Sequence, residues 1–144
     1  MLKARIAREV VIRLPNHVGL LAQLSKILAD KGIGIDAIGA WIEGNNAIVR
    51  LVTEDNLRVM DALRERSYDP REAEVVLTEA AHKPGMVRHI AEKLAENGID
   101  LHHLYGSAAA EQARSLMVFS STNNGHAMVL LNEKTPMTAP CAGA

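Results

Sequence analysis

The stretch Asn16-His17-Val18-Gly19-Leu20-Leu21-Ala22-Gln23-Leu24-Ser25-Lys26-Ile27-Leu28-Ala29-Asp30-Lys31-Gly32-Ile33-Gly34-Ile35 has a second, diverged copy further along the chain. The copy opens with His82-Lys83-Pro84-Gly85-Met86-Val87 and closes with Asn97-Gly98-Ile99-Asp100-Leu101. Laid together without a gap, Gly19 falls on Gly85, Leu24 on Ile90, Leu28 on Leu94, Gly32 on Gly98, Ile33 on Ile99 and Ile35 on Leu101, a constant offset of 66 residues. Two glycines and the apolar positions of a helix recurring in register mark a tandem repeat, and the rest of the chain is read from that.

Within the first copy, Leu20, Leu24, Ile27 and Leu28 recur at helical spacing, which predicts an amphipathic helix from Val18 to Lys31. Gly32 suits the left-handed position that ends a helix. Upstream, Ile6, Val10, Ile12 and Leu14 alternate with Glu9 and Arg13, a strand with one buried face that Pro15 ends. Downstream, Ile33 and Ile35 stand on one parity and Ile38, Ala40 and Ile42 on the other, so a bulge is expected near Asp36-Ala37. Glu43 to Asn46 reads as a hairpin turn, Ala47 to Thr53 as a third strand, and Leu57, Met60 and Leu63 as a second helix reaching Arg66.

Arg71 to Ala80 is a fourth strand that doubles as the first strand of the second copy, because no linker fits before the second loop. The order then repeats: a helix from Gly85 to Glu96, a strand from Ile99 to Ser107, a turn in Ala108 to Ala113, a strand from Arg114 to Ser121 and a helix from Asn124 to Asn132. The last strand of this copy is missing. Residues 1–70 form the first repeat, 71–134 the second with strand 71–80 shared, and 135–144 a flexible tail. The order strand, helix, strand, strand, helix, strand is the split βαβ arrangement. The fold class expected is therefore α+β, tandem ferredoxin-like βαββαβ repeats with antiparallel sheets and helices on one face. Two sheets sharing a strand would hold seven strands and four helices. Small units and an edge left open by the missing strand favour a homodimer.

Composition narrows the function. With 3% aromatic residues and a formal net charge of −1 over 144 residues, the chain offers neither base-stacking platforms nor a pull on phosphate, so nucleic acid is not an expected partner. No apolar run is long enough to span a bilayer, no signal peptide opens the chain, and the single cysteine, Cys141, forms no internal disulfide, which together point to a cytoplasmic protein away from membranes. His102 and His103 are adjacent, so on a strand they face opposite ways, and no metal site or cofactor is expected. Trp41 and Tyr105 read as partly buried packing residues at a sheet edge or subunit interface.

The two loops and the element order resemble the ACT domain, a small regulatory module of amino-acid metabolism. Its first strand enters an Asp/Asn-x-Pro-Gly-x-Leu loop, followed by a helix and a Gly-(Ile/Val)-Asn-Ile second strand. The second copy keeps Lys83-Pro84-Gly85-Met86-Val87 and Gly98-Ile99-Asp100-Leu101, and the first has Asn16-His17-Val18-Gly19-Leu20-Leu21 and Gly32-Ile33-Gly34-Ile35. Val18 replaces the loop proline, and Gly34 and Asp100 replace the family's Asn, so the two sites are not equivalent. Over residues 8 to 131 the chain is similar to stand-alone tandem ACT proteins with no catalytic domain.

That resemblance implies a non-enzymatic regulator that binds an amino acid or similar small metabolite between domains and signals through domain or subunit association, with a regulated enzyme as a further candidate partner. A helix N-terminus next to a glycine turn suits a carboxylate, and Asp100 is the candidate partner for an ammonium group. The candidate ligand-binding residues are Asn16, His17, Val18, Gly19, Leu20 and Leu21 in the first loop. Those of the second are Lys83, Pro84, Gly85, Met86 and Val87, with Asp100. Ile38, Gly39, Ala40, Leu104 and Tyr105 join them on the second strands. An interaction module without a ligand is the alternative. A small ferredoxin-like enzyme is weaker, because Arg88, the only suggestive cation near the second loop, lies on the helix rather than in the loop.

Overall fold

The computed structural model describes residues 2–81, 84–107 and 114–133. The elements run β1 (Lys3–Pro15), α1 (Leu20–Asp30), β2 (Ile35–Glu43), β3 (Asn46–Thr53), α2 (Asn56–Glu65), β4 (Arg71–Ala81), α3 (Met86–Glu96), β5 (Leu101–Ser107), β6 (Arg114–Ser121) and α4 (Asn124–Asn132). The expected class holds: two consecutive strand-helix-strand-strand-helix units build an antiparallel sheet with helices on one face. The expected turn Ala108 to Ala113 and the tail 135–144 lie outside the described residues.

Strand and sheet numbers differ from the expectation. The described residues form one sheet of six strands, in the order β2-β3-β1-β4-β6-β5, rather than seven strands in two sheets that share one. The reason is the length of β1. Its C-terminal part pairs with β3 from Val10 to Pro15, and its N-terminal part pairs with β4 from Lys3 to Val11. Each unit therefore uses the other's first strand as its fourth, and among the described residues β1 occupies the place expected for the last strand of the second copy. The open edge argued from that missing strand does not exist.

Strand register puts Val10 and Ile12 of β1, Val49 and Leu51 of β3, Val76 of β4 and Phe119 of β6 on the helix side. The first four pack with Leu20, Leu24, Leu28, Val59 and Leu63 of α1 and α2. Val76 and Phe119 pack with Ile90, Leu94, Ala127 and Leu131 of α3 and α4. Each of these side chains is 4% exposed or less, so two separate helix pairs are held by burial on one continuous sheet. The opposite face curls until its edges approach: the Tyr105 ring of β5 lies 3.1 Å from where a Cβ on Gly39 of β2 would stand.

The expected bulge lies between Ile35 and Ala37, and β5 repeats it between Leu101 and His103. Gly32 and Gly98, with φ of 70° and 69°, close α1 and α3 in the left-handed conformation, followed in each case by a hydrogen bond from the next isoleucine amide to the helix.

Candidate functional site

Gly19 and Gly85 begin the two loop helices, with φ of 87° and 89°, a region that costs any residue with a Cβ. Neither helix has a side-chain cap, whereas α2 and α4 are capped by Asp55 and Asn123, whose carboxylate and amide oxygens accept from Arg58 and His126 amides. The first turns of α1 and α3 thus keep amide donors for something outside the helix. In the first copy the loop is pinned to the β2–β3 hairpin by the Asn16 amide, which donates to the Asn45 carbonyl at 2.8 Å.

A groove of about 430 Å³ opens between that loop and the hairpin. Asn16, His17, Gly19, Leu20 and Leu21 line one side and Ala40, Trp41, Ile42, Ala47, Ile48 and Val49 the other. The volume falls within the roughly 300–1,000 Å³ of small-molecule sites. Its lining is largely apolar, without a carboxylate, lysine or arginine. Val18 is fully exposed at its mouth, and Leu21, Ile38 and Ile42 are exposed apolar groups around it. Of the candidate residues of the first copy, Asn16, His17, Gly19, Leu20, Leu21 and Ala40 meet in this groove.

The other candidates are placed differently. Pro84, Gly85 and Val87 are exposed and Met86 packs partly against the α3–α4 core; Lys83 lies outside the described residues. Asp100 sits just beyond the C-terminal end of α3, a helix length from Gly85. There its carboxylate accepts from the Leu101 amide at 3.0 Å and its backbone bonds Thr122, so the structure does not bring it to the second loop. Leu104, like Ile38, lies on the helix side, opposite Phe119. Gly39 and Tyr105 face the other way and meet each other.

Sequence reasoning did not single out Trp41, Ile42, Ala47, Ile48 and Val49 for the groove. The unbroken apolar run Ile38 to Ile42 carried a signal, because a strand with both faces occupied loses its alternation.

It also missed a polar cluster on the concave face. Glu9, on the face read as solvated, is fully buried. Its Oε1 accepts from the Tyr105 hydroxyl at 2.9 Å, while its Oε2 accepts from Arg50 Nη1 and lies 3.3 Å from His103 Nε2. Burial pushes the Glu9 carboxyl up, but His103, Tyr105 and the Arg50 charge together hold it below the usual glutamate value. Burial first, then the Glu9 charge, drives the Tyr105 hydroxyl far above the ordinary tyrosine value. The His103 and Tyr105 rings stack at 6.0 Å, and the Arg50 guanidinium lies 5.6 Å from the Trp41 ring centroid.

Among the described residues no group of three His, Cys, Asp or Glu side chains is arranged to hold a metal, and no helix is long and apolar enough to cross a membrane.

No family model matches the chain, and no curated protein does. Similar solved structures exist. Protein BT0572 from Bacteroides thetaiotaomicron is 21% identical over 89% of this chain and 88% of that one, with a TM-score of 0.79. The ligand-free regulatory subunit of aspartate kinase from Thermus thermophilus is 14% identical over 90% and 93%, with a TM-score of 0.63. A structure of aspartokinase alpha and beta subunits is 18% identical over 90% and 94%, with a TM-score of 0.60. At these identities the likeness is one of fold, an ACT-like arrangement of ferredoxin-like units.

Proposed function

We propose that the chain is a non-catalytic regulator that holds an amino acid or similar small metabolite in the groove of the first copy and signals through association with a second copy or a regulated enzyme. The observation that carries this is the meeting of the Asn16–Leu21 loop, an uncapped helix N-terminus and β2 around one small-molecule-sized groove. The carboxylate of the ligand faces the free amides of the first turn of α1, and an apolar side chain rests on Ile42, Ala47 and Val49. The groove has no carboxylate of its own, so the ammonium group takes the Asn16 side-chain oxygen or an acceptor from a second subunit. The exposed Val18, Leu21, Ile38 and Ile42 around the groove support such an association. The similarity in fold to aspartate kinase regulatory subunits supports the same reading.

A thermal-shift screen against the amino acids at millimolar concentration tests it. A ligand at a hundred times its Kd adds about 2.7 kcal/mol of apparent stability. Replacing Gly19 would confuse loss of binding with backbone strain, so the informative variant is Leu21→Asp. An acidic residue in the first turn of α1 stabilises the helix by roughly 0.3–1 kcal/mol and repels a ligand carboxylate. The expected outcome is a folded protein, at least as stable as the parent, that has lost its response. A flat screen with the parent chain would favour an interaction module without ligand.

A further inference from the structure

The ladder that joins the two copies is centred on a residue and its own repeat equivalent. Across β1 and β4, Arg8 stands opposite Glu74, which the offset of 66 residues makes its counterpart. On either side the partners exchange: Ala7 faces Val75 and Glu9 faces Ala73, where Ala73 is the counterpart of Ala7 and Val75 that of Glu9. Asn56 Nδ2 donates to the Arg8 carbonyl at 2.9 Å as Asn124 Nδ2 donates to the Glu74 carbonyl at 3.3 Å. At the far side of the curled sheet Gly39 meets Tyr105, again a residue and its counterpart, since Gly39 pairs with Arg50 as Tyr105 pairs with Val118. An approximate two-fold axis therefore runs from the Arg8–Glu74 pair to the Gly39–Tyr105 contact. A true two-fold through the same points would pair the first copies of two chains, and their second copies, on the same backbone ladder. The backbone does not choose between these pairings.

The side chains do. At the ladder, unlike pairing sets Arg8 opposite Glu74 and places it 3.7 Å from the Glu72 carboxylate. Like pairing would set Arg8 against Arg8 and Glu74 against Glu74, which is destabilising for residues directly opposite. At the seam, Tyr105 fills the space that Gly39 leaves, and a Cβ on Gly39 would already stand 3.1 Å from the ring. Two first copies would leave that space empty, and two second copies would set ring upon ring. On the concave face, Glu9 and Arg50 come from the first copy and His103 and Tyr105 from the second, with the Tyr105 hydroxyl donating to Glu9 Oε1 at 2.9 Å. Their counterparts Val75, Val118, Ala37 and Gly39 are small or apolar. Two first copies would bury Glu9 beside Ala37 and Gly39 with no phenol on Oε1, and two second copies would bury the Tyr105 hydroxyl against Val75.

We infer that these three contacts make the interface between the copies selective: a first copy accepts only a second copy, and like copies of two chains are excluded from each other. Charge at the ladder, shape at the seam and hydrogen bonding on the concave face all penalise the same wrong pairing. The apolar counterparts show that the fold does not require buried charges here, and such groups are often no more stabilising than apolar ones of similar volume. What they add is discrimination. Association with a second chain then falls to the outer surface around Leu21, Ile38 and Ile42, with the interface between the halves left closed.

A disulfide reads the pairing. Arg8 and Glu74 are exposed and stand directly opposite on antiparallel strands, a separation that a disulfide spans. In full chains carrying Cys141→Ala and refolded in a glutathione buffer, Arg8→Cys with Glu74→Cys should close a bond within one chain. Arg8→Cys alone links two chains only where first copies pair, and mass spectrometry should find it without a chain-to-chain disulfide. Adding Glu9→Val, Arg50→Val, His103→Ala and Tyr105→Gly, which gives both copies the same concave face and seam, should raise the linked fraction about tenfold or more. Linked chains with the selective contacts intact, or none once they are removed, overturn the proposal. The second result would mean that the connection through residues 66–70 decides the pairing. If the equalised chain does not fold, Tyr105→Gly alone, which removes the clash between second copies, has to raise the linked fraction, and no rise overturns the proposal. The amino-acid screen bears on the groove alone, so the two readings fail separately.

Discussion

Gly39 and Tyr105 occupy equivalent positions in the two copies and touch each other, a large residue in one unit filling the space a glycine leaves in the other. A Cβ at Gly39 would stand 3.1 Å from two Tyr105 ring atoms, so Gly39→Ala should cost stability in the parent chain and much less beside Tyr105→Ala. A double-mutant cycle by urea unfolding measures that coupling, expected at about 1 kcal/mol or more. Gly106 is tighter, because a Cβ there would lie 2.7 Å from the Leu116 carbonyl oxygen, which is backbone and cannot swing aside. Gly106→Ala should cost about 1–3 kcal/mol through overpacking. Tyr105→Phe removes the donor to Glu9 Oε1 and should cost about 1–3 kcal/mol, the penalty for a buried acceptor left unpaired.

Among the elements, β1 bears the greatest responsibility, since it completes both units. Its N-terminal half is fastened to α4 by a two-way bond: the Ala4 amide donates to Asn132 Oδ1 and Asn132 Nδ2 donates to the Ala4 carbonyl, both at 2.8 Å. Asn132→Ala should therefore loosen the start of β1 selectively. Amide exchange measured by mass spectrometry should rise over residues 2–8 and the facing part of β4, while β2 and β3 stay protected. Uniform acceleration across all strands would show that the bond holds nothing locally.

For the whole molecule, the Glu9 cluster is a pH-dependent brace between the two copies. The carboxyl has a lower pKa folded than unfolded, so its contribution is fully present above the ordinary glutamate range and is lost as pH falls through the folded value. Glu9→Gln leaves Arg50 without its counter-charge and should cost about 3 kcal/mol near neutrality. The gap in urea midpoint between the variant and the parent chain should narrow as pH falls below the ordinary glutamate range, where the parent carboxyl takes up its proton. A gap independent of pH would mean that Glu9 acts through shape alone.

The repeated element order, the helices and the bulge at Asp36 were legible in the sequence, because each rests on local periodicity or on a glycine's backbone freedom, whereas the loop residues were proposed from the family resemblance. Leu20, Leu24, Leu28 and Gly32 state a helix and its end within one turn of themselves. The single sheet was not legible, because whether β1 pairs with β4 depends on strand length and curl summed over the whole chain. Nor was the role of Glu9: on β1 it alternates like any solvated residue, and only closure of the sheet brings His103 and Tyr105 from a strand 96 residues away in sequence. Periodicity reports which residues share a face of one element. What lies against that face is decided by the other elements, and here that contact joins a carboxylate of one copy to a histidine and a tyrosine of the other.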